Sequence, residues 1–115
     1  MTDPVDLAFR ELQLEYLDSL PARLGELRSE VAAWRAGNPG AGDSLKVRLH
    51  RLAGSGGSYG FAHLSAIARE AERWLAGHTP EGGTVELEAI IERLVKAVEV
   101  ISKAAGQQDE NVTPS

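Results

Sequence analysis

The apolar residues of this chain recur at intervals of three and four, and this spacing restricts what the chain can fold into. The longest stripe, between residues 84 and 105, consists of Leu87, Ile91, Leu94, Val98 and Ile101. Such spacing places apolar side chains on one face of an α-helix. No segment alternates between apolar and polar residues with a period of two, which is the pattern of a half-buried strand. The sequence therefore predicts an all-α fold.

Prolines and glycines divide the chain into five predicted helical segments. Pro21 interrupts the first pattern, because proline is well tolerated only in the first turn of a helix. The loop at residues 37–42 contains Pro39 and three glycines, and Gly60 is the expected end of the third segment. The predicted helices are residues 6–19, 21–36, 44–60 with Asp43 or Ser44 as the cap, 61–76 and 84–105.

The lengths of these segments and their short connections suit an antiparallel four-helix bundle with an additional N-terminal helix. At 115 residues, the chain has the size of a single domain. We expect this helical domain to span residues 4–105. Residues 106–115 are mostly polar and lack a pattern, so we expect a disordered C-terminal tail there.

The composition excludes several classes of function. The formal charge of −5 repels nucleic-acid phosphates, and no basic cluster offsets it. The absence of cysteine excludes disulfides and thiolate metal sites, and the three histidines lack the spacing of a metal pair. No apolar run approaches the ~20 residues that a membrane helix needs. The N-terminus lacks the features of a signal peptide, so we expect a cytoplasmic protein.

A histidine stands shortly before a glycine-rich stretch. His50 is followed by four glycines between Gly54 and Gly60. Each glycine inside a helix costs ~1 kcal/mol relative to alanine, so this cluster needs a reason other than stability. Either a neighbouring helix packs closely there, or a partner approaches the backbone beside His50. For Gly56, which lies nearer the predicted core face, close packing is the better interpretation.

The glycine cluster does not match a nucleotide-binding loop. No Lys follows it as the Walker pattern requires, and Tyr59 occupies the last glycine position of the dinucleotide pattern. Neither pattern is preceded by a predicted strand. The sequence therefore predicts no nucleotide site.

A longer pattern surrounds His50. It reads His50-x-Leu52-x-Gly54-Ser55-x-x-x-x-Gly60, followed by Leu64-Ser65 and then by Glu72 on the next helix. This pattern resembles the histidine phosphotransfer (HPt) domain of two-component phosphorelays. Its Gly60-Phe61 ending is also similar to the phosphoryl-accepting domain of chemotaxis histidine kinases. In helix order and length the resemblance extends from about residue 7 to residue 105, and it is specific from residue 49 to residue 74.

The resemblance implies a role for three residues. His50 is the expected site of phosphorylation, through Nε2. Glu72 is expected to bond the other ring nitrogen, which orients the imidazole and stabilises positive charge on it. Gly54 is expected to leave space beside the ring for the partner.

One position departs from the family pattern. The family usually carries Lys three residues after the histidine, where this chain has Ala53. We expect Lys46, one turn earlier on the same face, to contact the phosphate in its place, with Arg51 as the other candidate. The expected binding surface comprises Val47, Arg51, Ala53, Gly54 and Gly57, with Val47 and Ala53 in a small apolar ring around the histidine.

The resemblance implies a phosphoryl carrier without autokinase activity. His50 is expected to carry a phosphoryl group between receiver-domain aspartates of response regulators, or from a sensor or hybrid histidine kinase to a receiver. No cofactor is expected in this chain, and Mg²⁺ is expected on the partner receiver domain. The alternative is a helical adaptor that binds a signalling partner without phosphoryl chemistry, which the missing Lys at Ala53 favours.

Overall fold

The computed structural model describes residues 3–112 of the chain, and their side chains as far as residue 106. Four α-helices account for most of this range: α1 (Pro4–Arg35), α2 (Ala41–Ser58), α3 (Ala62–Ala76) and α4 (Val85–Val112). A short 3-10 helix, Pro80–Gly82, lies between α3 and α4. Each helix packs on the preceding one, and α4 also packs on α1, which closes the bundle. Residues 3–112 contain no strand, so the all-α prediction is confirmed.

The additional N-terminal helix predicted from Pro21 does not exist as a separate element, because α1 continues through that proline. Leu17 and Leu20 before it, and Leu24 after it, are all buried, so one apolar stripe crosses Pro21 without a change of spacing. A proline inside a helix costs ~3 kcal/mol. Burying a leucine side chain contributes about 1.5–3 kcal/mol, so the shared stripe offsets the cost of the proline.

Most residues in the first three turns of α1 are exposed, including apolar ones. The burial of this helix begins only at Tyr16. The exposed apolar side chains of these turns are Val5, Leu7, Phe9 and Leu12.

The core of the bundle is aliphatic and consists chiefly of leucine. Seven leucines, contributed by all four helices, are less than 2% exposed: Leu20, Leu27, Leu45, Leu49, Leu64, Leu87 and Leu94. Among residues 3–112, no helix is long and apolar enough to cross a membrane.

The two ends of α2 are set by glycines in the left-handed conformation. Gly40, with φ of 81°, is the N-cap, so the predicted caps Asp43 and Ser44 lie inside the helix instead. Gly60, with φ of 86°, follows the C-cap and donates its N–H to the carbonyl of Gly57 at 3.1 Å. The Phe61 N–H reaches the Gly56 carbonyl at 2.8 Å, which completes a Schellman motif. The prediction that Gly60 ends the helix is confirmed.

The last helix is longer than the sequence predicts. The backbone of α4 is helical as far as Val112, whereas the sequence pattern predicts a disordered tail from residue 106. The lone Gly106 costs only ~1 kcal/mol and does not end a helix by itself. The remaining part of the predicted tail, residues 113–115, lies outside the described residues.

An aromatic cluster joins the start of the bundle core to the end of α2. The Tyr16 ring stacks on Tyr59 with centroids 4.5 Å apart and on Phe61 at 6.1 Å. The Tyr16 hydroxyl lies 2.7 Å from Ser55 Oγ, and burial raises the pKa of this tyrosine. The cluster holds the glycine-rich part of α2 against α1, and so fixes the helix that carries His50.

Candidate functional site

His50 projects from the middle of α2 into solvent. Leu49 is fully buried and Leu52 is 3% exposed, so the residues on either side of the histidine anchor the helix in the core. The His50 side chain itself is 78% exposed. The helix therefore presents the imidazole on a rigid element with an open approach from outside.

Glu72 on α3 contacts the histidine. Its two carboxylate oxygens lie 2.9 Å and 3.3 Å from His50 Nδ1. An ionised carboxylate only accepts hydrogen bonds, so in this contact Nδ1 carries the proton and donates the hydrogen bond to Glu72. In the neutral ring the lone pair then resides on Nε2. The structure thus brings together the two residues that the sequence pattern pairs, and leaves the Nε2 side of the ring away from the carboxylate.

The position of Glu72 follows from how α3 packs on α2. Ala68 and Ala71 are fully buried, which places Glu72 at the edge of the α2–α3 contact, where its side chain is 22% exposed. The Ser65 hydroxyl donates a 2.6 Å hydrogen bond to the Ala53 carbonyl and fixes the register of the two helices. This register places the carboxylate level with His50.

The imidazole stands in a shallow groove between α2 and α3, here called the His50 groove. It is lined by Lys46, His50, Ala53, Gly54, Arg69, Glu72, Arg73 and Ala76. Arg69 and Arg73 were not expected at the site. Their signal is a spacing of four, which places them on the same side of α3, and Arg69 also lies three residues before Glu72, which contacts His50 of α2.

The glycines after His50 differ in their surroundings. A Cβ added at Gly54 meets nothing within 4 Å, so this turn of α2 is open beside the histidine. A Cβ added at Gly56 lies 3.4 Å from the backbone nitrogen of Ser65, which is close packing, as the sequence suggests for this position. Gly57 is exposed, and a Cβ there approaches the Ser65 hydroxyl at 3.5 Å rather than the groove.

The other predicted site residues divide between the groove and the rest of the surface. Lys46 lines the groove with His50, whereas Arg51 lines a separate cavity between α1 and α2. Val47 is 46% exposed and available to a partner. Ala53 is only 2% exposed, so its expected place in an exposed apolar ring is corrected. It lies one turn from the buried Leu49 and belongs to the floor of the groove.

Comparison with known proteins identifies the family. No curated protein and no solved structure matches the chain. A family model described as the Hpt domain matches residues 11–104, which include His50, Glu72 and the whole glycine-rich stretch. The match covers well over half of the chain and agrees with an all-helical bundle that exposes His50 beside Glu72. The chain therefore belongs to the Hpt family, the histidine phosphotransfer domains of two-component phosphorelays.

Proposed function

We propose that this protein carries a phosphoryl group on His50, between receiver-domain aspartates or from a histidine kinase to a receiver. The observation that carries the proposal is the hydrogen bond between His50 Nδ1 and Glu72, at 2.9 Å, on a side chain that is 78% exposed. It leaves Nε2 unprotonated and directed away from the carboxylate. Membership of the Hpt family supports the same role.

The transfer step follows from this geometry. The lone pair of His50 Nε2 attacks the phosphorus of an aspartyl phosphate, and an N–P bond forms. The P–O bond to the aspartate breaks, and its electron pair leaves with the aspartate carboxylate. Positive charge develops on the imidazole, and the Glu72 carboxylate at Nδ1 stabilises it. The reverse sequence delivers the phosphoryl group to the next receiver.

The two partners supply different groups for the transfer. This chain supplies the nucleophile and its orienting carboxylate, and the receiver supplies Mg²⁺ and the acceptor or donor aspartate. The glycine cluster matches neither nucleotide-binding pattern, and membership of the Hpt family supports a carrier rather than a kinase. Docking takes place on the His50 face, where Val47 offers an apolar contact, and the protein works in the cytoplasm with its partners.

A labelling experiment tests this function. Receiver domains encoded in the same genome are labelled on their aspartates with a radioactive small phosphodonor, purified, and mixed with this protein and Mg²⁺. We expect acid-labile, base-stable phosphate on the wild type and none on His50→Gln. The matched control is His63→Gln, which removes another exposed histidine. No label on the wild type, or equal label on His50→Gln, supports the adaptor alternative and overturns the carrier function.

A further inference from the structure

We infer that Arg69 of α3 is the residue that binds the phosphoryl group on His50, in place of a cation on α2 itself. The inference rests on the proposed function and names a residue for it. Three observations carry it: the charge of the His50 groove, the unpaired state of Arg69, and its position along the groove.

The His50 groove is positively charged although the chain is acidic. Three cations, Lys46, Arg69 and Arg73, line it against the single carboxylate of Glu72, while the whole chain has a formal charge of −5. A phosphoryl group carries close to two negative charges. The carboxylate that orients His50 repels such a group, so the step needs a compensating cation beside the ring.

The charge of the Arg69 guanidinium is not neutralised by another described side chain. Several arginines elsewhere on the bundle form ion pairs with glutamates, as in Arg28–Glu92 at 2.7 Å and Arg93–Glu70 at 2.6 Å, whereas Arg73 of the same groove forms none among the described side chains. Among the described side chains, Arg69 forms neither an ion pair nor a hydrogen bond. An arginine that is held in a groove without a carboxylate keeps its guanidinium available for a ligand.

Arg73 is the weaker candidate because its charge already acts on a carboxylate. The hydrogen bond from Arg93 is the chief reason that the pKa of Glu70 is lowered, and the charge of Arg73 adds to this effect. The charge of Arg73 therefore already interacts with Glu70, which makes it less available to a phosphoryl group.

The register of the helices places Arg69 beside the open turn of α2. His50 is level with Glu72, and Ala53 is bonded to Ser65 further along the pair. Arg69 lies three residues from Glu72, about 4.5 Å along the axis of α3 in the direction of Ser65, and it lines the groove together with Ala53 and Gly54. Ala53 has a short side chain and Gly54 has none, so the guanidinium has free access across the groove. A charge from α3 thus lies in the part of the groove where Ala53 and Gly54 of α2 offer none.

The test compares Arg69→Ala with a variant of equal charge. The full chain is phosphorylated with phosphoramidate, so that ammonia leaves as the N–P bond to His50 forms and no receiver takes part. We expect Arg69→Ala to lower the labelling rate about tenfold, because it removes charge-assisted hydrogen bonds to the phosphoryl group. Arg69→Lys is expected to lose only about threefold, because it retains the charge without the planar fork. Lys96→Ala, which removes a cation from α4, is expected to match the wild type.

The outcomes separate the inference from the proposed function. A wild type that is labelled on His50, together with an Arg69→Ala variant that matches Lys96→Ala, overturns the inference and leaves the carrier function intact. A loss confined to Arg73→Ala or Lys46→Ala also overturns it. A wild type that accepts phosphate neither from phosphoramidate nor from any receiver overturns both. Thermal unfolding followed by circular dichroism checks that each variant is folded. We expect Arg69→Ala to unfold like the wild type, because Arg69 is exposed and its removal leaves the core intact.

Discussion

Gly54 and Gly56 lie two residues apart in one helix, yet they serve opposite purposes. Gly56 faces α3, where an added Cβ would lie 3.4 Å from the Ser65 nitrogen. Gly54 faces outward beside His50, where an added Cβ would meet nothing within 4 Å. One glycine permits two helices of this chain to approach each other, and the other keeps a surface open. The role of a glycine in this helix therefore depends on its surroundings, which are a packed helix at Gly56 and open space at Gly54.

The same division applies to α3. Ser65 bonds the Ala53 carbonyl at 2.6 Å and belongs to the packed end of the α2–α3 contact. Glu72 lies two turns further along and contacts His50 at the open end. The packed end sets the register, and the open end uses that register to align a carboxylate with an imidazole. Substitutions at the two ends are therefore expected to affect different properties.

The largest expected effect is that of Gly56→Leu on stability. The new side chain must enter the space occupied by the backbone of α3 at Ser65, because the Cβ alone already reaches contact distance. We expect the free energy of unfolding to fall by about 3 kcal/mol, since overpacking outweighs the gain in helix propensity. Urea unfolding followed by circular dichroism measures it. An unchanged midpoint would show that α3 is not held against α2 at this glycine.

Gly54→Leu is expected to spare stability and impair transfer. The side chain projects into open space, so we expect the midpoint of urea unfolding not to fall. It obstructs the approach of a receiver to His50, and we expect transfer from a phosphorylated receiver to slow about a hundredfold. Labelling of the same variant by phosphoramidate, a small donor, serves as the control and should be affected much less. Equal losses with both donors would mean that the substitution damages the histidine itself rather than docking.

Much of the fold could be predicted from the sequence because burial follows helical spacing. The stripe of α4 and the end of α2 at Gly60 are examples in which one local pattern decides the outcome. Pro21 misled the prediction because a local rule and a longer pattern disagree there. The buried leucines on both sides keep one register, and their burial outweighs the cost of the proline.

The candidate site was predictable only in part. His50 and Glu72 stand at spacings that a sequence pattern can pair, and their side chains do meet. Arg69 carries no motif, and its place in the groove depends on which face of α3 turns towards α2. Ala53 resembles a surface position in the sequence, but it lies where Ser65 of α3 bonds its carbonyl, and it is buried there. Contacts between helices, rather than spacing within one helix, decide these two positions.

A pair of substitutions on α3 sharpens the comparison between its two ends. Glu72→Gln retains a hydrogen-bonding group but removes the charge opposite His50, and we expect phosphorylation to slow about tenfold. Ser65→Ala removes the buried hydrogen bond to Ala53 and is expected to cost about 1 kcal/mol of stability. Phosphoramidate labelling and urea unfolding are measured on both variants. The comparison fails if Ser65→Ala slows labelling as much as Glu72→Gln while remaining folded.

The smallest expected effect is a gain in stability from Gly54→Ala. Alanine is favoured over glycine inside a helix by ~1 kcal/mol, and the methyl group at this position meets no other atom of the protein. We therefore expect the free energy of unfolding to rise by up to about 1 kcal/mol. Gly56→Ala is the matched control, because its methyl group would lie at contact distance from the Ser65 backbone, so that any adjustment of α3 reduces the same gain. A protein selected for stability alone would already carry alanine at position 54, so a measured gain there supports a functional reason for the glycine. Equal changes in the two variants, in either direction, would show that the two glycines do not differ in the way their surroundings indicate.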